Sequence, residues 1–423
     1  MTEPWSEGMD EHSRDNARAA IAAMVGDQGL DIVTQSDVQT FLWYTLPVKF
    51  MLDTGDQHEV AWSLGDAFRN AGLDRYAELC RSLQSHLIIG AYAVSRSDGL
   101  AAFREASAAS GIEPPDTELI QWGPVMGPAE AAVRDRLSSR LERAIVAGEL
   151  KPGARGWKKA AERIALEFVS SPGSDARRPI DVVEVERLER WGRDGRPQRE
   201  RLNKAVLSLL VKPPLSKAES PEPVRALLEA VGKGVTLTKA GYLPKTLVLE
   251  LNERFHWHDL PEFSVRSEAD IPDLRWLHDL LRKFKLLTKR GQLLSVSALG
   301  RRCLADDEAL FRLLAVQTLA GKGWDADLAR LTAGVLLVAE KPVNRQELAA
   351  AVQPAIDETW RSTDGRRADA DELFWAARDW HAYWRIFGWL RDAGTAVEDE
   401  LTAAGRAAAV VGLRAEAAGP RTN

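Results

Sequence analysis

The segment LLRKFKLLTKRGQLLSVSALGRR (280–302) contains an amphipathic helical stretch followed by two short strand-like pieces around Lys-Arg-Gly. Apolar residues that recur every three or four positions predict one buried helix face. The Leu-rich pieces on either side of the glycine predict a two-stranded ribbon. This pattern of a helix and then a ribbon decides how the C-terminal half of the chain is expected to fold.

A second copy of the pattern lies 103 residues further along the chain. The segments LRWLHDLLRKFKLL (274–287) and ARDWHAYWRIFGWL (377–390) are identical at five of fourteen positions. Each then reaches a glycine at the same distance, Gly291 and Gly394. An earlier helix precedes each copy, and GVTLT (234–238) is expected to supply a first short strand to copy one. The chain is therefore expected to repeat one supersecondary unit.

The closing motifs of the two copies are SALGRR (297–302) and TAAGRA (402–407). They resemble the LTxxGR wing strand of MarR-type regulators. That resemblance implies a winged helix-turn-helix in each copy, within about 220–315 and 327–415, whose ribbon is the wing.

The whole chain also resembles an uncharacterised actinobacterial protein family. The stretches that carry this likeness are FLWYTLPVKF (41–50), SGIEPPDTELIQWGPVMG (110–127) and LTKAGYLP (237–244). The likeness implies no particular activity, so it adds no chemistry to the interpretation of the residues.

Length and turn signals predict a mainly α protein of several domains, because 423 residues are too many for one ordinary core. The expected divisions are an N-terminal helical domain at 1–172, a basic linker region at 173–220, winged-helix-like repeats at 221–320 and 321–415, and a tail at 416–423.

Arginines recur at every third position in the expected linker region, at Arg187, Arg190, Arg193, Arg196 and Arg199. Glycines and a proline among them oppose a single unbroken helix. A solvated basic linker is the simpler interpretation, and an arm that contacts phosphates is the alternative.

Charge is distributed unevenly along the chain. The net charge is −6, but residues 1–150 hold 12 basic and 23 acidic residues, whereas 274–302 hold eight basic residues and one acid, Asp279. Binding follows the local field, so the acidic total does not exclude a nucleic-acid partner. Two cysteines, a polar N-terminus and short apolar runs lead us to expect a cytoplasmic protein without a membrane partner.

The predicted nucleic-acid contacts of copy one lie away from its apolar stripe, which runs through Leu274, Leu277, Leu281 and Phe284. A recognition helix and wing that meet phosphates need cations in these places. The candidates are Arg275, His278, Arg282, Lys283, Lys285, Lys289, Arg290, Arg301 and Arg302. The alternative is a solvated basic helix without a ligand.

Copy two is expected to contact protein, either a partner or a second copy of the chain. Its ribbon, RDAGTAVEDE (391–400), is acidic and would repel a duplex. Aromatic and arginine side chains on an exposed helix face are typical interface anchors. The candidates are Trp375, Arg378, Arg385, Ile386 and Trp389. The alternative is that another part of the chain covers them.

Motifs that would indicate catalysis are weak in this sequence. FHWHD (255–259) places two histidines and an aspartate close together but lacks a complete zinc ligand set. VGKGVTLTKAG (231–241) lacks the order of a phosphate-binding loop, and neither Cys80 nor Cys303 has an arranged His partner. We therefore predict no enzyme activity, no cofactor and no metal.

The preferred hypothesis is a DNA-binding or transcription-associated protein that uses copy one. The rival hypothesis is a protein-interaction module that keeps the winged helices as a scaffold.

Overall fold

A computed structural model describes residues 3–26, 28–173, 176–211, 219–232, 234–258, 264–361, 365–393 and 398–421. The chain forms two compact units, Met1–Glu186 with Pro420–Asn423, and Arg187–Gly419. The fold is mainly helical, as the sequence predicts, and its strands form two small sheets.

The first unit is built from helices, one of which is interrupted by a π-helical turn at Phe41–Thr45. Its helices are α1 (Glu11–Val25), α2 (Gln35–Thr40), α3 (Leu46–Lys49), α4 (Thr54–Asn70), α5 (Asp74–Arg81), α6 (Leu83–Val94), α7 (Arg96–Ser110), α8 (Pro128–Val146), α9 (Trp157–Ser170) and most of α10 (Pro179–Gly192).

Two separate clusters of buried apolar side chains stabilise the first unit. One is centred on α1, α4 and the π-helical turn and includes Trp43 and Phe68. The other joins α8 and α9 through residues such as Leu137 and Ile164. Within the described ranges of the whole chain, no helix combines the length and the apolar content that crossing a bilayer requires.

The second unit has one continuous apolar core that includes both copies of the repeat. Its elements are α11 (Pro197–Leu210), α12 (Glu222–Val231), β1 (Val235–Thr236), α13 (Lys245–Phe255), α14 (Pro272–Lys283), β2 (Leu287–Arg290), β3 (Leu293–Val296), α15 (Ala298–Leu304), α16 (Asp307–Leu319), α17 (Trp324–Val338), β4 (Val343–Asn344), α18 (Arg345–Ile356), α19 (Ala370–Ile386), β5 (Leu390–Ala393), β6 (Glu398–Leu401) and α20 (Ala403–Ala417).

The two copies have the same order of elements: helix, strand, two helices, two strands and a closing helix. Their sheets have matching antiparallel order, β1-β3-β2 in copy one and β4-β6-β5 in copy two. The predicted first strand from 234–238 is confirmed as β1, which pairs with β3. The 103-residue sequence repeat is therefore also a repeat of topology.

The long helices begin and end at positions that differ from the predicted ones. Helix α14 ends at Lys283 instead of reaching 287, because Lys285 takes a left-handed conformation with φ of 60°. Helix α19 begins at Ala370, seven residues before the predicted start, where Asp369 caps its first turn. Glycine 394 lies outside the described residues.

The predicted basic linker at 173–220 is wrong for most of its described part, which forms α10 and α11. Glycine 192 ends one helix and Pro197 begins the next, so the predicted interruption is confirmed. Two of its arginines pack against other elements of the second unit. Arg187 is buried and donates to the Ala418 carbonyl at 2.8 Å, and Arg199 forms a buried ion pair with Asp327.

The last expected domain boundary also differs from the observed division. Helix α20 extends to Ala417, two residues into the expected tail. Arg421 then pairs with Val125 in an antiparallel bridge within the first unit. The tail is thus divided between the two units.

Candidate nucleic-acid interface

A tight turn joins α14 to its ribbon and fixes the backbone that carries the basic side chains. Lys285 N–H donates to the Arg282 carbonyl at 3.0 Å, and Leu286 N–H donates to Leu281 at 2.9 Å. These two bonds close the end of the helix around a left-handed residue. The Ser297 hydroxyl then donates to the Lys285 carbonyl at 2.6 Å, which ties the end of the ribbon to the same turn.

The ribbon continues directly from this turn. Strands β2 and β3 pair from Leu287↔Val296 to Arg290↔Leu293, and Gly291 begins the tip with φ of 61°. Lys289 and Arg290 therefore lie at the exposed end of the ribbon.

The turn between β1 and α13 adds a residue that the sequence did not single out. The Thr238 N–H donates to the Tyr242 carbonyl at 2.8 Å, and the Tyr242 N–H donates to the Thr238 hydroxyl at 3.0 Å. The exposed Lys239 lies inside this turn. A Cβ atom placed on Gly241 would lie 3.7 Å from Lys289 Nζ, so this turn is adjacent to the ribbon. The sequence signal that could have identified Lys239 is a lysine in a glycine-containing turn directly after the first strand.

We call Lys239, Lys283, Lys285, Lys289 and Arg290 the basic surface. All five are exposed, and within the described part of the chain none of them forms an ion pair. A cation that is not neutralised by a neighbouring carboxylate remains available to a phosphate.

The other predicted cations of copy one are partly engaged by neighbours. Arg275 stacks over the Tyr242 ring at 5.5 Å, and Arg282 lies 3.8 Å from Asp279. Arg301 donates to the Val296 carbonyl at 2.7 Å, whereas Arg302 is exposed in α15. Arg275, Arg282 and Arg301 are therefore less free to meet a ligand than the five residues of the basic surface.

The prediction that His278 is exposed is wrong. Its side chain is buried, with 2% of its surface exposed, and its Nδ1 lies 2.8 Å from Glu268 Oε1. The other oxygen of Glu268 accepts from the Leu243 backbone N–H at 2.6 Å. The imidazole is thus part of a buried polar network that joins α14 to the preceding segments and does not face solvent.

In copy two, two of the predicted contacts are buried. Trp389 is 1% exposed and Ile386 is 6% exposed, so the prediction of an exposed face is wrong for both. Trp389 is covered by edge-to-face contacts with Phe311 of α16 and with Trp384. The alternative interpretation, that the chain itself covers these residues, is confirmed for this pair.

Trp375 remains exposed on α19, with 62% of its surface accessible. Arg378 lies over its ring at 5.9 Å. Arg385 is not free, because its Nη2 lies 2.8 Å from Asp392 Oδ1 and 2.7 Å from Asp399 Oδ1. The surface left to a partner in copy two is therefore centred on Trp375 and Arg378.

Asp399 is the buried acidic centre of copy two. Its Oδ2 lies 3.3 Å from His381 Nε2, and the other oxygen meets Arg385. Burial alone would raise the pKa of Asp399, but His381 and Arg385 outweigh it and hold the pKa below its usual value. Arg391 also pairs with Glu400 at 2.7 Å. In copy two, Arg385 of α19 and Arg391 of the ribbon therefore both form ion pairs with acids of the ribbon.

The long helices of the two copies pack against each other, α14 on α19. Burial is the largest cause that raises the pKa of Tyr383 on α19, and the negative charges of Asp379 and of Asp279 on α14 raise it further. Asp279 and Tyr383 therefore lie close together across the two helices. Part of each long helix is therefore covered by the other copy, while the side of α14 that carries Arg282 and Lys283 stays exposed.

The histidine-rich segment at 255–259 shows no metal geometry where it is described. His256 closes α13 in a left-handed conformation, and the His258 backbone exchanges hydrogen bonds with Asn252. Asp259 lies outside the described residues. Among the residues that the structure does describe, no group of three or more potential ligands is arranged around a metal position.

Comparison of the chain with protein-family models, with curated proteins and with solved structures found no match. The fold and the surface themselves define a mainly helical protein with two topologically equivalent helix-and-ribbon copies, one basic and one acidic at the ribbon.

Proposed function

We propose that the protein binds double-stranded DNA through the basic surface of copy one, as a DNA-binding or transcription-associated protein. The observation that carries the proposal is a set of five exposed cations without ion-pair partners in the described chain, placed on a helix end, a ribbon and an adjoining turn. A duplex presents closely spaced phosphates that such a set can neutralise.

The order of elements supports the same proposal. In each copy the long helix follows a shorter helix and precedes a ribbon, an order that resembles that of a winged helix-turn-helix. In helix-turn-helix proteins the second helix enters the major groove while other elements contact the backbone. Because α14 is partly covered by α19, contacts by the ribbon and the β1–α13 turn dominate, and binding depends weakly on base sequence.

The test is the salt dependence of binding to a random-sequence duplex, measured by fluorescence anisotropy. The triple variant Lys283→Ala, Lys289→Ala, Arg290→Ala removes up to three cations that neutralise phosphates. The slope of log K against log salt should fall by roughly 0.9 for each phosphate that is no longer neutralised. The melting temperature should stay nearly unchanged, since exposed substitutions usually alter stability by less than about 0.5 kcal/mol each.

A matched control removes the same charge elsewhere. Lys159→Ala, Lys322→Ala and Lys341→Ala affect three exposed lysines outside the basic surface, and their combination should leave the slope as in the wild type. Absence of duplex binding by the wild type at low salt, or equal slopes for the two triple variants, would contradict the proposal.

A second candidate function, a protein-interaction module, is favoured by the exposed Trp375 beside Arg378 on α19. Trp375→Ala should then reduce self-association or capture of a partner, measured by sedimentation velocity, and leave the salt slope of duplex binding unchanged. If Trp375→Ala instead changes the salt slope, the two copies share one ligand and this division of roles is wrong.

A further inference from the structure

A cavity in the first unit lies between the C-terminal end of α1, the start of α2 with its π-helical turn, and α8. Its volume is about 340 Å³. One water molecule occupies roughly 30 Å³ of liquid, so the space exceeds a single hydration site about ten-fold. It falls in the size range of pockets that hold small organic molecules.

The lining of this cavity combines two carboxylates with several hydroxyl groups. Asp37 and Asp135 supply the carboxylates, and Thr40, Thr45 and Ser139 are among the hydroxyl-bearing residues. Among the described lining residues there is no lysine, arginine or histidine. Ala23 and Met24 add apolar surface, whereas Phe41 of the same wall is only 1% exposed. A ligand in this cavity would therefore contact negative charge, hydrogen-bonding groups and apolar side chains.

Asp135 is an exposed residue of the cavity lining, and its carboxylate forms no hydrogen bond or ion pair in the described chain. Its nearest basic neighbour in sequence, Arg134, is directed to Glu113 at 3.3 Å. The surroundings of Asp135 raise the pKa of its carboxyl, mainly through desolvation, with Asp37 adding to the rise against the opposing effect of Arg134. Two acids that disfavour each other's charge across a cavity create a field that a cation relieves.

The opposite wall is held rigidly. Asp37 Oδ2 accepts from the Thr34 N–H at 2.9 Å and from its hydroxyl at 2.7 Å, which leaves Oδ1 for another partner. Glu142 of α8 accepts from the Gln35 N–H at 3.0 Å and from the Tyr76 hydroxyl at 2.7 Å. The bond from Gln35 to Glu142 ties the start of α2 to α8, the helix that carries Asp135.

The π-helical turn at Phe41–Thr45 forms part of the wall. Turns of this kind are rare and occur frequently at functional sites, because the extra residue redirects side chains out of the helical repeat. Here the turn buries Phe41, which packs edge to face on Phe50 with ring centroids 5.8 Å apart, while Thr45 lines the cavity.

We propose that this cavity binds a small organic cation, an amine or a guanidinium compound with an alkyl body. The cationic group lies between Asp37 and Asp135, the hydroxyl groups accept its remaining hydrogen bonds, and the alkyl part packs on Ala23 and Met24. The site is independent of the basic surface of copy one and adds a small-molecule ligand to the protein.

Putrescine and 1,4-butanediol are the sharpest pair of probes, because they have similar length and differ in charge. Putrescine, tested by calorimetric titration at low ionic strength, should bind saturably, and butanediol should not. Asp135→Asn removes one charge from a side chain that makes no hydrogen bond in the described chain, and it should weaken putrescine binding by roughly ten-fold or more. Ser139→Leu, which fills the cavity, should also abolish binding.

The matched control is Glu162→Gln, which removes one exposed acid from α9 of the same unit and should leave the affinity unchanged. Several outcomes would overturn the proposal. They are an absence of binding by putrescine, ethanolamine and agmatine at millimolar concentrations, an equal affinity in Asp135→Asn and the wild type, and a Mg²⁺ ion that competes fully with the amine. The last result would assign the two acids to a metal ion.

Discussion

The two copies of the C-terminal repeat close their long helices with the same backbone hydrogen bonds but with different residues. Lys285 N–H bonds to Arg282 in copy one, and Gly388 N–H bonds to Arg385 in copy two. Both residues are left-handed, with φ of 60° and 68°. The turn is thus set by hydrogen bonding, and a lysine is held where a glycine would fit with less strain.

The closing motifs also coincide in structure. Ser297 and Thr402 each cap the following helix by accepting from the N–H three residues later, Gly300 at 2.9 Å and Gly405 at 3.1 Å. The motif that resembles a wing strand is therefore the start of α15 and of α20, just after the last strand. The two copies therefore share the left-handed turn after the long helix and the cap of the closing helix.

The copies differ in the charges of their ribbons and in their buried histidines. His278 meets Glu268, which precedes its own helix, whereas His381 meets Asp399 on the ribbon. The comparison teaches that a shared framework can carry opposite surfaces. Copy one leaves its cations exposed, and copy two engages Arg385 and Arg391 with acids of its own ribbon.

The largest expected effect is on the buried acid of copy two. Asp399→Asn leaves His381 and Arg385 without their common carboxylate, and breaking a buried pair costs about 3–5 kcal/mol. Urea denaturation measures this loss. Asp392→Asn removes the exposed partner of the same Arg385 and should cost at most about 1 kcal/mol. Equal losses in the two variants would show that Asp399 is not the centre of the network.

The difference in stability between the wild type and Asp399→Asn should also depend on pH. Since the folded-state pKa of Asp399 is lowered, its stabilising contribution is complete above the unfolded value near 3.9 and is lost as pH falls through the folded value. The stability difference between wild type and Asp399→Asn should therefore be constant near neutral pH and shrink below about pH 4. A difference that grows on acidification would reverse the assigned sign.

Gly405 and Gly300 test whether the two closing motifs meet the same constraint. A Cβ on Gly405 would overlap the Trp389 carbonyl oxygen, and one on Gly300 would overlap the Leu286 carbonyl oxygen. Gly405→Ala and Gly300→Ala should each lower the free energy of unfolding by about 1–3 kcal/mol. If either variant is as stable as the wild type, the two closing motifs do not meet the same steric constraint.

Gly334→Ala in α17 is the matched control for these glycines. A Cβ there would meet Leu202 at 3.5 Å, an ordinary van der Waals contact. Because alanine favours a helix by about 1 kcal/mol over glycine, this variant should be as stable as the wild type or more stable in thermal denaturation.

The smallest expected effect comes from exchanging the residues at the shared turn. Lys285→Gly should raise the free energy of unfolding by about 0.5–1 kcal/mol, and Gly388→Lys should lower it by about 1 kcal/mol. Lys283→Gly, inside the last turn of α14, should lower it by about 1 kcal/mol. Opposite signs for the same Lys→Gly change two residues apart would confirm that conformation, and not charge, decides the outcome.

The sequence by itself determined the repeat, its apolar stripe and its ribbon. The buried positions Leu274, Leu277, Leu281 and Phe284 follow from helical periodicity. The ribbon follows from short apolar runs around a glycine, and the break at Gly192 to Pro197 follows from residue types that end and begin helices. Each of these features depends on interactions between residues near each other in the chain, which a local pattern records.

Only the tertiary structure decided which of the remaining side chains face solvent. Periodicity identifies one buried helix face, but α19 packs against α14, α17 and α18, and its last residue Ile386 is buried as well. Trp389, which follows the end of α19, is buried against Phe311 of α16. His278 is buried because Glu268 and the Leu243 amide meet it from other segments. Such contacts join residues that are remote in the chain, and their partners have no fixed spacing that a sequence pattern could reveal.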